Sequence, residues 1–193
     1  TSIGDYAFYN CSSLTSVIVG ENSKLTSIGG YAFNDCKKLI SLTLPRGLNS
    51  IGYNAFDSCT SLQSILIPSS VTSIEWNAFH NCTSLITAIL PNNITTICQE
   101  TFLGCTSLVG VNIPDKVTSL GNKAFNNCPC MTTLTIPKSG TSIGENVLDG
   151  CNKLRSINYE GSKSDWDKIK IEKGNEKLTG NIFQRAKIHY NCK

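Results

Sequence analysis

Seven cysteines mark a fixed beat along this chain. Cys11, Cys36, Cys59, Cys82, Cys105, Cys128 and Cys151 are each followed, three positions on, by a leucine or methionine. The first step is 25 residues and every later step is 23. A phenylalanine stands three residues before six of them (Phe8, Phe33, Phe56, Phe79, Phe102, Phe125), and Leu148 takes its place in the seventh. A period of this length belongs to stacked coils, none of which buries its own apolar face alone. The spacing therefore predicts one solenoid over nearly the whole chain.

Within a coil, Ile65-Leu66-Ile67 is a short β-type run closed by Pro68. Period two sends Ile65 and Ile67 to one face and Ser64 and Leu66 to the other. Proline ends the run in five coils, where it stops a strand without breaking a ladder bond. Val71 to Ile74 is a second extended piece, and Ala78-Phe79 a turn or single helical turn. Stacking turns the leucines (Leu14 to Leu154), the isoleucines (Ile3 to Ile143) and the phenylalanines into ladders. At ~4.8 Å per strand, seven coils span roughly 30–35 Å. The expected fold class is thus a mainly β repeat solenoid with short helical turns, a right-handed α/β-type superhelix with one parallel sheet wall. Residues 1–160 are expected to form the solenoid and 161–193 a capping segment.

Charge is uneven. Residues 1–160 carry 9 Lys/Arg against 10 Asp/Glu, and 161–193 carry 8 against 4. A near-neutral body argues against a nucleic-acid stripe, and the basic tail reads as a solvated cap. No apolar run approaches the ~18–20 residues of a membrane-spanning helix. Thr1-Ser2-Ile3 matches Thr26-Ser27-Ile28, so the sequence is expected to open inside a repeat, with an N-terminal cap missing from it.

The pattern Ile28-Gly29-Gly30-Tyr31-Ala32-Phe33-Asn34-Asp35-Cys36-Lys37-Lys38-Leu39, then Leu42-Thr43-Leu44-Pro45, resembles the Treponema-type, or BspA-like, leucine-rich repeat. The resemblance covers residues 1 to about 160. Tyr159 to Trp166 is similar to the C-terminal cap common in those bacterial proteins. The resemblance implies a surface or secreted protein engaged in adhesion to matrix proteins and other cells. Glu75 and Cys98 depart from it, standing where the repeat has glycine, and are expected to loosen their coils.

The ladder cysteines occupy one repeating interior position, where cysteine behaves as a small hydrophobe. Parallel stacking sets their Cβ vectors side by side, a poor geometry for a disulfide. They are expected reduced, with Cys98, Cys130 and Cys192 left open. No phosphate loop, nucleophile elbow or two-histidine metal motif is present. His80 aligns with Asn34 and Asn126 in a repeat turn, and His189 lies in a closing strand. The reading is no enzyme, no cofactor and no metal.

Binding is expected on the sheet wall. Its outward column is Ile18, Thr43, Leu66, Ile89, Asn112, Thr135 and Asn158, beside a hydroxylated column running from Ser16 to Ser156. The exposed aliphatics reflect either strand propensity or an apolar stripe for a protein partner. Trp76 is either a partner anchor or a cover for the coil at Glu75. Trp166 is expected to plug the last coil, with Trp166, Ile169 and Lys173 on one helical face over residues 164–173. The candidate ligand-binding set is Ile18, Thr43, Leu66, Ile89, Asn112, Thr135 and Trp76. The expected partners are protein ligands such as host matrix or cell-surface proteins, with no nucleic acid. The open first coil (Ile3, Phe8, Leu14) offers end-to-end self-association. The alternative is a structural spacer with no ligand of its own.

Overall fold

Three walls repeat in every coil of the computed structural model, which describes residues 1–20, 22–179 and 186–192. The front wall is built from Ser16–Ile18, Ser41–Thr43, Ser64–Leu66, Thr87–Ile89, Gly110–Val111, Thr133–Ile136, Ser156–Tyr159 and Lys187–His189. These strands begin one residue ahead of the apolar triplets. Their side chains alternate as expected: Ser64 and Leu66 are exposed, Ile65 and Ile67 buried. The second extended piece also pairs. Two-residue strands form two further parallel sets, from Ser2–Ile3 to Ser73–Ile74 and from Thr96–Ile97 to Ser142–Ile143, each isoleucine (or Leu120) aligned with that of the next coil within its set. Helix is confined to two four-residue turns, Lys163–Trp166 and Glu176–Thr179.

The third wall is a run of turns. Two positions in each coil, Asn54 and Ser58 for example, hold φ between 52° and 76°. Left-handed backbone favours asparagine and glycine, which explains Asn77, Asn146, Asn10, Asn81, Asn127, Gly104 and Gly150 at these places. The conformation aims alternate peptides along the solenoid axis. The amides of Tyr31, Phe33 and Asp35 donate to the carbonyls of Tyr53, Ala55 and Asp57 at 2.8–2.9 Å, and the pattern continues coil by coil to Asn127 and Asp149.

Between the walls, the phenylalanines from Phe8 to Phe125 lie in one parallel stack, centroids 5.0–5.6 Å apart. Phe33 to Phe125 are fully buried, whereas Phe8 in the open first coil is 37% exposed. Beside them run the cysteines. All ten are free, and the six from Cys36 to Cys151 are buried. Each of these six does more than fill space: its thiol donates to the phenylalanine carbonyl of the preceding coil, as from Cys59 to Phe33 at 3.2 Å and from Cys82 to Phe56 at 3.1 Å. Burial pushes the Cys36 and Cys151 thiols up to about 11 and the other four higher still.

At the C-terminal end, Trp166 is buried edge-on against Tyr159, with centroids 5.2 Å apart. The helical face expected over residues 164–173 does not form. The helix stops at Trp166 and Lys170–Ile171 joins the ladder beside Ser142–Ile143. Lys187–His189 does close the front wall beside Ser156–Tyr159. The last turn-wall amides are met by the cap. Asn146 donates to the Lys173 carbonyl, and Val147 to Oδ1 of the buried Asn175, whose amide nitrogen donates to the Gly144 and Glu172 carbonyls. The Lys173 peptide thereby takes the place of a further coil, while the Asn175 amide bridges the Val147 amide and Gly144 carbonyl, groups that bond directly in other coils, as Ala55 does to Gly52.

Phe79→Ala is expected to cost about 3–5 kcal/mol in denaturant unfolding, and Phe8→Ala far less, because only the first leaves a buried void. A thiol reagent at pH 8 is expected to label the four less buried cysteines (Cys11, Cys98, Cys130, Cys192) in the native protein and all ten after unfolding. Because the buried thiols are held above their unfolded values, their contribution is intact at neutral pH. It is lost as pH rises from the ordinary thiol range toward about 11.

Candidate functional site

Among the described residues, ten large apolar side chains are exposed, and six of them lie on the front wall. Ile18, Leu66 and Ile89, exposed by 84%, 65% and 57%, form one ridge in line with Thr43, Asn112 and Thr135. Ile40, Ile86 and Val109 form a second ridge at the start of the strands, each about half exposed. Their amides donate to the same position of the coil before, Ile40 to Thr15, Ile86 to Gln63 and Val109 to Ile86. Between the ridges lies the column of Ser41, Ser64, Thr87 and Gly110, paired in register from Ser64 through Thr87 to Gly110. The face is thus a shallow trough with a small, hydroxylated floor. Arg155 is the single charged residue in these three columns over the seven coils. The second ridge went unread in the sequence, although it stands one residue after each ladder leucine.

The trough is not uniform. The strands Ser41–Thr43 and Ser64–Leu66 belong to separate sheets, and no Gln63-to-Ile40 bond continues the series above. Beside this seam Thr43 and Leu66 line a pocket of about 330 Å³ with Val19, Leu42, Leu44, Pro45, Pro68 and Arg46. Two residues of the candidate set therefore meet at one cavity. Asn112 and Thr135 meet at a single bridge.

Trp76 stands elsewhere, at the junction of the second ladder and the turn wall. It is 43% exposed and lies parallel to Tyr53 at 5.1 Å, so its packing partner is a neighbouring surface ring. Its neighbour Glu75 and the next coil's Cys98 flank a second seam. At Gly52 an added Cβ would come within 2.7 Å of the Gly29–Gly30 backbone, and at Gly121 within 2.5 Å of the Gln99 nitrogen. Glycine at this position lets coils approach fully. Where Cys98 stacks over Glu75, both carry a Cβ, and the second ladder divides between Ser73–Ile74 and Thr96–Ile97. The Cys98 thiol is raised by burial and then by the Glu75 carboxylate, as the contact requires.

His80 is partly buried, with Nδ1 3.1 Å from Asp57 but without a hydrogen-bond partner. Asp57 itself accepts from Asn34 at 3.1 Å and from the Ser58 hydroxyl at 2.9 Å. Among the described residues no group of three or more His, Cys, Asp or Glu side chains is arranged to hold a metal, and no helix is long and apolar enough to cross a membrane. The cap lysines Lys163, Lys168, Lys170 and Lys173 pair with Asp167, Asp165, Glu172 and Glu145 at 2.7–3.5 Å.

The repeating coil and its uncharged sheet face define a leucine-rich-repeat solenoid. The family model described as "BspA type Leucine rich repeat region" matches residues 1–131 and 77–189, with six copies, and the chain belongs to that family. Leucine-rich-repeat domains of this kind generally bind proteins. The chain is similar to a leucine-rich repeat protein of T. pallidum, at 26% identity and TM-score 0.70 over 79% of this chain and 82% of that one. It is also similar to a leucine-rich cell surface protein of Faecalibacterium prausnitzii, at 30% identity and TM-score 0.69 over 88% of this chain. A leucine-rich repeat protein of Bacteroides ovatus shares the fold at 24% identity and TM-score 0.54 over 98% of this chain. The chain spans 54% of the Faecalibacterium protein and 58% of the Bacteroides one. No curated protein matches it.

Hydrogen exchange is expected to show the second seam. The Thr95 and Cys98 amides lack the intercoil bonds that Thr118 and Gly121 make to Thr95 and Ile97 at 2.9 and 2.7 Å, so they should exchange faster. Equal protection at all four would remove the seam.

Proposed function

We propose that this chain is a non-catalytic binding ectodomain, at the cell surface or secreted, that attaches to matrix or cell-surface proteins through its front trough. One observation carries the reading. The exposed aliphatic side chains are gathered into two ridges on a single face that is nearly free of charge. Scattered exposed apolar residues are ordinary on a soluble protein, whereas an ordered apolar patch marks an interaction surface. The seam pocket beneath Thr43 and Leu66 gives that surface a place for an inserted side chain, with Arg46 at its edge. The likeness to the Faecalibacterium cell surface protein supports the location. In this reading residues 1–160 present the ligand surface and 161–193 close the solenoid against solvent.

Recognition by such a trough rests on apolar burial, so it should tolerate salt. The domain is expected to bind at least one member of an immobilised panel of extracellular-matrix and cell-surface proteins, with affinity nearly unchanged between low and high salt. The double variant Leu66→Asp, Ile89→Asp is expected to bind at least about tenfold more weakly, since each carboxylate would be buried unpaired in the contact. Both positions are outward-facing, so the fold should persist. Unchanged affinity in a folded double variant would remove the trough from the interface, and a folded domain that binds nothing on the panel would favour the spacer role.

A further inference from the structure

Coils 1–4 carry a second ordered surface, made of aromatic rings. Tyr6 and Tyr31 lie parallel at 4.9 Å, Tyr31 meets Tyr53 at right angles at 5.3 Å, and Tyr53 lies parallel to Trp76 at 5.1 Å. Tyr9 adds an edge contact to Tyr6 at 5.6 Å. Gly30 makes room for the series, because a Cβ there would fall within 2.6 Å of the Tyr53 ring. The core does not need these rings; the phenylalanine stack already fills each coil. Yet Trp76 is 43% exposed, and Tyr31 and Tyr53 are half-buried. Apolar surface held in water in an ordered row is a cost that folding alone does not explain.

The electrostatic setting of the row is one-sided. Between each ladder isoleucine and the next cysteine, coils 1–4 contain Asp5, Asp35, Asp57 and Glu75 and no lysine or arginine. Asp5 adjoins Tyr6, and the exposed Glu75 adjoins Trp76. Asp5 is anchored by accepting from the Gly30 amide at 2.7 Å. The Tyr6 phenol is raised by desolvation and by its neighbours Tyr53, Tyr31 and Asp5, so these groups share one small region. Aromatic rings attract cations over their faces, guanidinium groups stack on them best among side chains, and a carboxylate pairs with the same guanidinium through two hydrogen bonds.

We propose that the Tyr6–Tyr31–Tyr53–Trp76 row, with Asp5 and Glu75 at its ends, docks an arginine-bearing segment of a partner protein. The contact lies on a different wall from the front trough and stands independently of it. The two also differ in physical character, one cationic and salt-sensitive, the other apolar and salt-tolerant.

The test is titration of the whole domain with an octa-arginine peptide, followed by tryptophan fluorescence and by calorimetry. Saturable binding is expected at low salt, weakening steeply as salt rises. Trp76→Ala should weaken it roughly tenfold. The pair Asp5→Asn, Glu75→Gln, which keeps every ring, should weaken it several-fold, and Leu66→Asp, Ile89→Asp should leave it unchanged. Wild-type affinity in both the Trp76→Ala variant and the Asp5→Asn, Glu75→Gln variant would overturn the proposal. So would tighter binding of an uncharged probe, chitohexaose, that depends on Trp76.

Discussion

Everything in this molecule hangs on the approach of one coil's backbone to the next. A 23-residue coil encloses few side chains and has no stability alone. Its peptide groups find partners only above and below. The turn wall makes this contact most completely. Two left-handed residues per coil rotate alternate peptides onto the axis, and their amides donate upward from the first coil to the cap. The Cys–Phe thiol bonds and the phenylalanine stack adopt the same spacing, because side chains fixed to equivalent backbone positions must repeat with it. The cap obeys the same constraint, with the Lys173 carbonyl accepting from Asn146 as a further coil would.

The two ladder seams follow from local failures of that approach, and they bear differently on function. At Cys98 a Cβ stands where glycine elsewhere admits the backbone of the coil before, whereas Glu75, which also carries one, keeps its bond to Ile51 at 3.0 Å. The turn wall bridges this level without interruption, through Asn77, Phe79 and Asn81 donating to Gln99, Thr101 and Leu103. The front seam opens a pocket beside Thr43 and Leu66, where the inward-facing Leu42 and Leu44 are only partly buried. The solenoid therefore accepts irregularity on one wall because another keeps the coils together.

Much of the fold was legible because a period needs no long-range information. The interior columns, the strand alternation at Ser64–Ile67, the reduced cysteines and the Trp166 plug all follow from placing each residue at its place in the repeat. The helix over 164–173 was misread because its apolar spacing suits a helical face equally well. Only the free edge at Ser142–Ile143 decides that Lys170–Ile171 joins the ladder. The candidate site was half legible. Ile18, Leu66 and Ile89 alternate outward by period two. Ile40, Ile86 and Val109 sit where the chain enters the strand, so alternation alone assigns them inward.

The sequence by itself determined the coil, its period, its interior columns and its outward sheet ridge, because each depends on position within one repeat. What only the tertiary structure decided are the relations between different positions in neighbouring coils. Tyr31 and Tyr53 belong to different columns, and they touch because Gly30 lets one ring lean across the coil boundary. The thiol-to-carbonyl bonds, the Thr43–Leu66 pocket and the role of Asn175 are of the same kind. Each arises from the distance and direction between stacked coils, a geometry that a repeat pattern implies but does not specify.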